Sequence, residues 1–170
     1  FSVANIFAQI PTGYYDGTAG LSGAALKTKL SQIITSGHQA KSYDNLYVGY
    51  HNTDKDKYYE NDGSVLDMYS ENPTGADPYV YQHGVKKCGN YNTEGDCYNR
   101  EHIFPQGYFN KASPMVSDIH HIVPTDGKVN GMRSNFPFGN VGSSVSYTSK
   151  NGSKLGTSNS VNYSGKVFEP

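Results

Sequence analysis

The sequence predicts a single α+β domain over residues 1–170, and three features carry that reading. An amphipathic helix lies near the N-terminus. Two short β-like runs, each stopped by proline, precede a capped helical turn. A hairpin signal fills the tail. Helices are therefore expected around a two-strand core that ends in a loop-rich β-hairpin. A chain of 170 residues can enclose a sizeable core, and no linker divides it.

The elements follow in order. FSVANIFAQ is apolar, with small residues near its end. It reads equally as a signal-peptide remnant within residues 1–10 or as an N-terminal strand. LSGAALKTKLSQIITSGH places Leu26, Leu30, Ile33 and Ile34 at i, i+4, i+7 and i+8, a stripe expected to pack into the core. Ser22 is placed to cap this helix and Gly37 to end it. SYDNLYVGYHN fits either a helix or a strand, and SVLDMYS reads as a short strand. Residues 70–98 are crowded with turn formers and read as surface loop. REHIFP is β-like and stopped by Pro105. GYFNKASPMVS connects it to DIHHIVP, a second β-like run stopped by Pro124. DGKVNGMRSN follows as a helical turn, with Thr125 and Asp126 offering N-cap oxygens. SVSYTSKNGSKLGT alternates on both sides of Asn151-Gly152, a hairpin signal.

Composition narrows the class. Mean hydropathy is −0.64, and the chain has 19 glycines, 15 tyrosines and no tryptophan. Tyrosine is thus expected to supply much of the large buried surface. No run of about 18 apolar residues exists, which argues against a membrane partner. Net charge is −1, giving no whole-chain attraction to nucleic acid. The charge is uneven, though: residues 1–85 hold five lysines against nine acids, and residues 86–170 nine cations against six acids. Cys88 and Cys97 lie too far apart for a CxxC redox pair. In an exported protein their turn-rich spacing points to a disulfide. It would contribute roughly 2–3 kcal/mol on the chain-entropy model. A metal site using both cysteines and His102 lacks a convincing fourth ligand.

Phosphodiester hydrolysis needs a cation for the phosphate oxygens and a base for the attacking water. Mg²⁺ suits the first task, as a hard ion that takes oxygen ligands. A neutral histidine suits the second, with activity rising through about pH 6–7 for an ordinary imidazole. NREH puts Glu101 beside His102, and Asn130 lies on the helical turn after the second run. Two strands and a helix can bring these three together. Neighbours on a regular strand face opposite ways, so convergence calls for a bulge, a twist, or approach from two sides of the phosphate. A second assignment draws on DIHHIVP, which resembles the heart of an HNH nuclease motif. There His121 would be the base and Asp118 or His120 a ligand. Strand alternation would split the two histidines, and none follows His121.

YNREHIFPQGYFN together with SDIHHIVPTDGKVNGMRSNFPFGNV resembles the bacterial endonuclease I family. These are secreted or periplasmic nucleases of the ββα-metal (His-Me finger) superfamily. The resemblance extends upstream through GYYDGTAGLSGAALKTKLSQII and YDNLYVGYHNTDKD, and downstream to NGSKLG and VFEP. It implies that His102 is the general base and that Glu101 and Asn130 hold one Mg²⁺, with Mn²⁺ or Ca²⁺ as substitutes. It also implies cleavage of DNA, and often RNA, with little sequence preference and 5′-phosphate products. Family members continue beyond VFEP into a basic helical segment. The resemblance thus implies a C-terminal truncation, or a segment supplied by another chain.

Around this trio, Arg100, Lys128 and Arg133 are candidates for phosphate contact. Asp118, His120 and His121 are expected to support the site by orienting its ligands. Tyr108, Phe109 and Phe136 read as core, with base stacking the alternative. A reading of another class also stands: a catalytically silent nucleic-acid-binding or surface-adhesion domain. It would not need the trio.

Overall fold

The computed structural model describes residues 10–170. The FSVANIFAQ stretch, with its signal-peptide reading, lies outside them. The chain divides into an N-terminal unit ending at Ala40 and a larger unit, Lys41–Pro170. In the first, turns lead into helix α1, Gly23–Thr35. Ser22 stands at the N-cap but makes no side-chain cap bond. Gly37, just past the helix, has φ +74°, the left-handed conformation that ends helices. The expected burial of the α1 stripe is not found. Leu26, Leu30 and Ile33 are half-buried, and Ile34 is 65% exposed. Among the described residues, this unit has no second helix or strand to close over the stripe.

The larger unit opens with a 3₁₀ turn, Tyr43–Asn45, and helix α2, Leu46–Thr53, so the ambiguous segment is helical. α2 buries Leu46, Tyr47 and Tyr50 against Val65, Tyr81, Tyr98 and Ile122. Four of these seven core residues are tyrosines, as the composition suggests. Tyr47 meets both Tyr50 and Tyr98 edge-on, an arrangement that suits the ring quadrupoles. SVLDMYS forms a single bridge, Val65 to Lys55, instead of a strand. Asp67 explains why. Its Oδ1 accepts the amides of Tyr69 (2.9 Å) and Ser70, turning the backbone on itself.

Strand β1, Tyr98–His102, pairs antiparallel with β2, Ile122–Asp126, and helix α3, Gly127–Arg133, follows at once. The fold is α+β, and these two strands and helix carry the candidate residues. Two expectations for β2 need correction. The strand starts at Ile122, which leaves Asp118, His120 and His121 in the turn before it. The alternation argument therefore does not govern them. Nor does Pro124 stop the strand. Its carbonyl accepts from Met68 N, so this residue's polar edge faces away from β1, and the missing N–H costs no ladder bond.

β3, Val141–Thr148, and β4, Lys154–Ser158, form the hairpin read from Asn151-Gly152, where Gly152 has φ +101°. β5, Lys166–Glu169, pairs with β4 on its other side. Phe168 and Leu155 of this sheet join Tyr69 and Val129 in a second core cluster. No helix among the described residues is long and apolar enough to cross a membrane.

Candidate active site

α3 sets the height of Asn130, and it is seated unusually closely. Its N-cap, Asp126, accepts Val129 N through Oδ1 (2.9 Å). Oδ2 accepts the Tyr81 hydroxyl (2.6 Å) and Gly95 N (2.9 Å). Cys88 and Cys97 are disulfide-bonded and close the loop beneath the helix. A Cβ on Gly127 would collide with Cys88 Sγ, and one on Gly131 with the Tyr91 hydroxyl. Glycine at both positions thus lets α3 lie against the bridged loop. Asn130, one residue before Gly131, is half-buried, and its carboxamide makes no hydrogen bond among the described residues.

Glu101, His102 and Asn130 line one cleft, together with Arg100, Pro105, Gln106, Arg133, Ser134 and Asn135. Of the three routes to convergence, the bulge is ruled out. Glu101 pairs with Val123 and His102 with Ile122 in unbroken register. His102 is the last residue of β1, and the chain bends away at Ile103. Both side chains are buried, with opposite electrical consequences. Burial pushes the Glu101 carboxyl up to about 7, against the pull of Arg133 and a hydrogen bond from Tyr69. Burial pushes the His102 imidazole down to about 4, aided by nearby His121, Arg100 and Arg133. His102 is therefore neutral near pH 7. Its Nε2 lies 3.3 Å from the Val116 carbonyl, which can only accept, so Nε2 carries the proton and Nδ1 keeps a lone pair.

Glu101 is held by one oxygen. Oε1 accepts the Tyr69 hydroxyl at 2.9 Å and pairs with Arg133 Nη1 at 2.9 Å. Oε2 makes no such contact among the described residues. Glu101 and Asn130, which both line the cleft, offer hard oxygens that suit a cation that keeps most of its waters. A divalent ion there would also offset the cost of ionising the buried carboxyl. The donor set therefore fits a hard divalent cation. A separate carboxylate group, Glu60, Glu71 and Asp77, shares no residue with the cleft.

The flanking cations sit differently from expectation. Arg133 is only 2% exposed. Its Nη1 donates to the His102 carbonyl (2.8 Å) and its Nη2 to that of Ile103 (2.7 Å), while its guanidinium lies over Phe138. It braces Glu101 and the end of β1, although its Nε finds no partner among the described residues. Arg100 lines the cleft with its guanidinium 3.6 Å from the Tyr43 ring centroid, and its Nη1 donates to Asp44 at 2.8 Å. Lys128 is half-buried on α3 and is not among the cleft residues.

The residues expected to support the site also separate. His121 packs edge-on to His102, centroids 5.8 Å apart, with its Nε2 buried and unpartnered. His120 points to solvent and pairs through Nδ1 with Asp118 at 2.8 Å. Partial burial raises the Asp118 carboxyl, but hydrogen bonds from His120 outweigh it and hold the group below the usual range. Neither Asp118 nor His120 lines the cleft. Sequence reasoning missed Tyr69, which steadies Glu101 from 32 residues away, and Tyr43, which carries Arg100. Neither lies in a motif that signals the contact.

Two strands and a helix thus bring Glu101, His102 and Asn130 to one cleft, an arrangement consistent with a ββα-type nuclease fold. The Endonuclease I family profile matches residues 22–170, and the chain belongs to that family. It is 36% identical over 132 residues to an extracellular ribonuclease of Bacillus amyloliquefaciens. It is 34% identical over 131 residues to an extracellular ribonuclease of Bacillus subtilis (strain 168). Each match covers 76% of this chain and 40% of the relative, so the match spans well under half the length of either. No solved structure gives a significant match.

Proposed function

We propose that residues 1–170 act as one domain, a secreted or periplasmic, Mg²⁺-dependent endonuclease that hydrolyses DNA, and RNA as well, with little regard to sequence. The observation that carries this is the single cleft lined by Glu101, His102 and Asn130. The extracellular ribonucleases it matches favour RNA among the substrates and export as the destination.

His102 Nδ1 takes the proton from the attacking water as its oxygen bonds to phosphorus. The bond from phosphorus to the 3′ oxygen breaks and that oxygen takes a proton from solvent, leaving a 5′-phosphate on one fragment and a 3′-hydroxyl on the other. Glu101 and Asn130 would hold Mg²⁺, which supplies positive charge at a phosphate oxygen and at the departing 3′ oxygen. Arg133 and Tyr69 keep Glu101 in place, and Val116 keeps His102 in the reactive tautomer. Arg100 lies at the cleft wall, where its remaining N–H groups can meet a phosphate.

The test compares His102→Ala with His121→Ala on plasmid DNA, in Mg²⁺ and in EDTA. His102→Ala should lose at least about 100-fold in rate, and His121→Ala less than about 10-fold. Near-normal cutting by His102→Ala with a dead His121→Ala would transfer the base role to His121. Glu101→Ala should lose Mg²⁺ binding in calorimetry while His102→Ala keeps it. Gel shifts without any cleavage by the wild-type chain would mark a silent binding domain.

A further inference from the structure

Beside the cleft stands an aromatic ledge that the hydrolytic chemistry does not use. Phe104 is 49% exposed and Tyr108 66% exposed, with ring centroids 5.6 Å apart. Phe109 lies nearly parallel to Phe104 at 6.2 Å and reaches His102 at 5.9 Å. The residues between them, Pro105 and Gln106, line the cleft itself. The ledge is thus continuous with the candidate site, two ring contacts from the base. It is also held firmly. Tyr108 N donates to the Pro105 carbonyl and Lys111 N to that of Gln106, while Asn110 and Lys111 end the 3₁₀ turn at φ 52° and 56°.

Exposed hydrophobic residues scattered singly need no explanation, but rings grouped on a rigid turn at the mouth of a cleft do. Core packing, expected for Tyr108, is not what it does. We propose that Phe104 and Tyr108 form a base-stacking subsite for an unpaired nucleotide next to the scissile phosphate, so that this nuclease favours single-stranded substrate. This rests on the nuclease reading above. In a duplex each base is covered by its stacked neighbours, and a ring on the protein surface meets only the backbone. An unpaired base offers a free π-face that any aromatic ring can accept, whatever the base. Such contacts keep the enzyme indifferent to sequence while making it selective for strand state. With Arg133 sealed and Arg100 partly engaged, the cleft has few free cations to hold substrate by charge alone, and stacking would supply the missing hold.

The experiment uses the full chain and its Phe104→Ala and Tyr108→Ala variants, with thermal melts as the folding control. Two probes are compared: an oligouridylate and a DNA duplex of the same phosphate count. In Mg²⁺, each variant should lose at least about 5-fold in kcat/KM on the oligouridylate, chiefly through KM, and keep its rate on the duplex. Phe104→Tyr and Tyr108→Phe should restore the wild-type value. In EDTA, fluorescence anisotropy should show the same selective weakening for labelled oligouridylate. Equal losses on both probes, or none, would overturn the subsite. So would a change in sedimentation with unchanged strand preference, which would make the ledge a protein contact. A wild-type chain that cuts neither probe would sink the nuclease reading instead. The anisotropy comparison would then decide the ledge separately.

Discussion

Burial moves Glu101 and His102 in opposite directions, and the pair divides the pH profile between them. His102, near 4, stays neutral through the range in which an ordinary imidazole would titrate. The rise through pH 6–7 expected from the sequence therefore cannot come from it. Glu101, near 7, can supply that rise. Its raised value means that it is protonated below about pH 7 and ionises above it. A cation competes with that proton, so more Mg²⁺ should move the limb to lower pH. kcat/KM measured against pH at low and saturating Mg²⁺ should show one limb that slides from near 7 toward acid. A second limb, near 4, should ignore the metal. A limb fixed at about 6.5 at every Mg²⁺ concentration would indicate an unburied imidazole and refute the assignment.

At the scale of elements, α3 depends on two glycines. Gly127→Ala would force a methyl into the bridged loop and should cost about 1–3 kcal/mol, read as a lowered Tm. Gly131→Ala meets the Tyr91 hydroxyl, so Tyr91→Ala should rescue it. A double-mutant cycle on Tm and activity would read that coupling, and simple additivity would count against the contact. Much at this scale was legible. Gly37, the Asp126 cap and Asn151-Gly152 are local signals, and local backbone rules suffice to read them. β2 was misread because Asp118 accepts His120 N through its side chain and His121 N through its carbonyl, forming a turn where the apolar pattern suggests a strand. SVLDMYS failed for the same reason at Asp67. Short acids that bind their own backbone override periodicity.

For the whole molecule, charge read from sequence overstates what is free to act. Arginine is expected at the surface, and nothing local announces that Arg133 is sealed against Glu101 and two carbonyls. That Glu101, His102 and Asn130 share a cleft was legible because long motifs surround them; the contacts of Tyr69 and Arg133 to Glu101 were not, because they are tertiary. Net charge is −1, and of the three cations expected at the phosphate Lys128 does not line the cleft and Arg133 is buried in bonds to Glu101, His102 and Ile103, which leaves Arg100. Binding should therefore be only modestly salt-sensitive. A plot of log Kd against log salt for a DNA duplex should give about one to three phosphate contacts. A count above about five would require a basic track elsewhere.

The hydrogen bond from His102 Nε2 to Val116 bears on how the catalyst resets. Nε2 is already committed to a carbonyl that cannot take a proton away. In the proposed mechanism the proton gathered at Nδ1 therefore has no exit through Nε2. It must leave by the mouth through which water entered, carried off by solvent or by the departing alcohol. If His102 is the base, recharging it and clearing the product would share one doorway, and a fragment slow to leave would also delay readiness for the next strand.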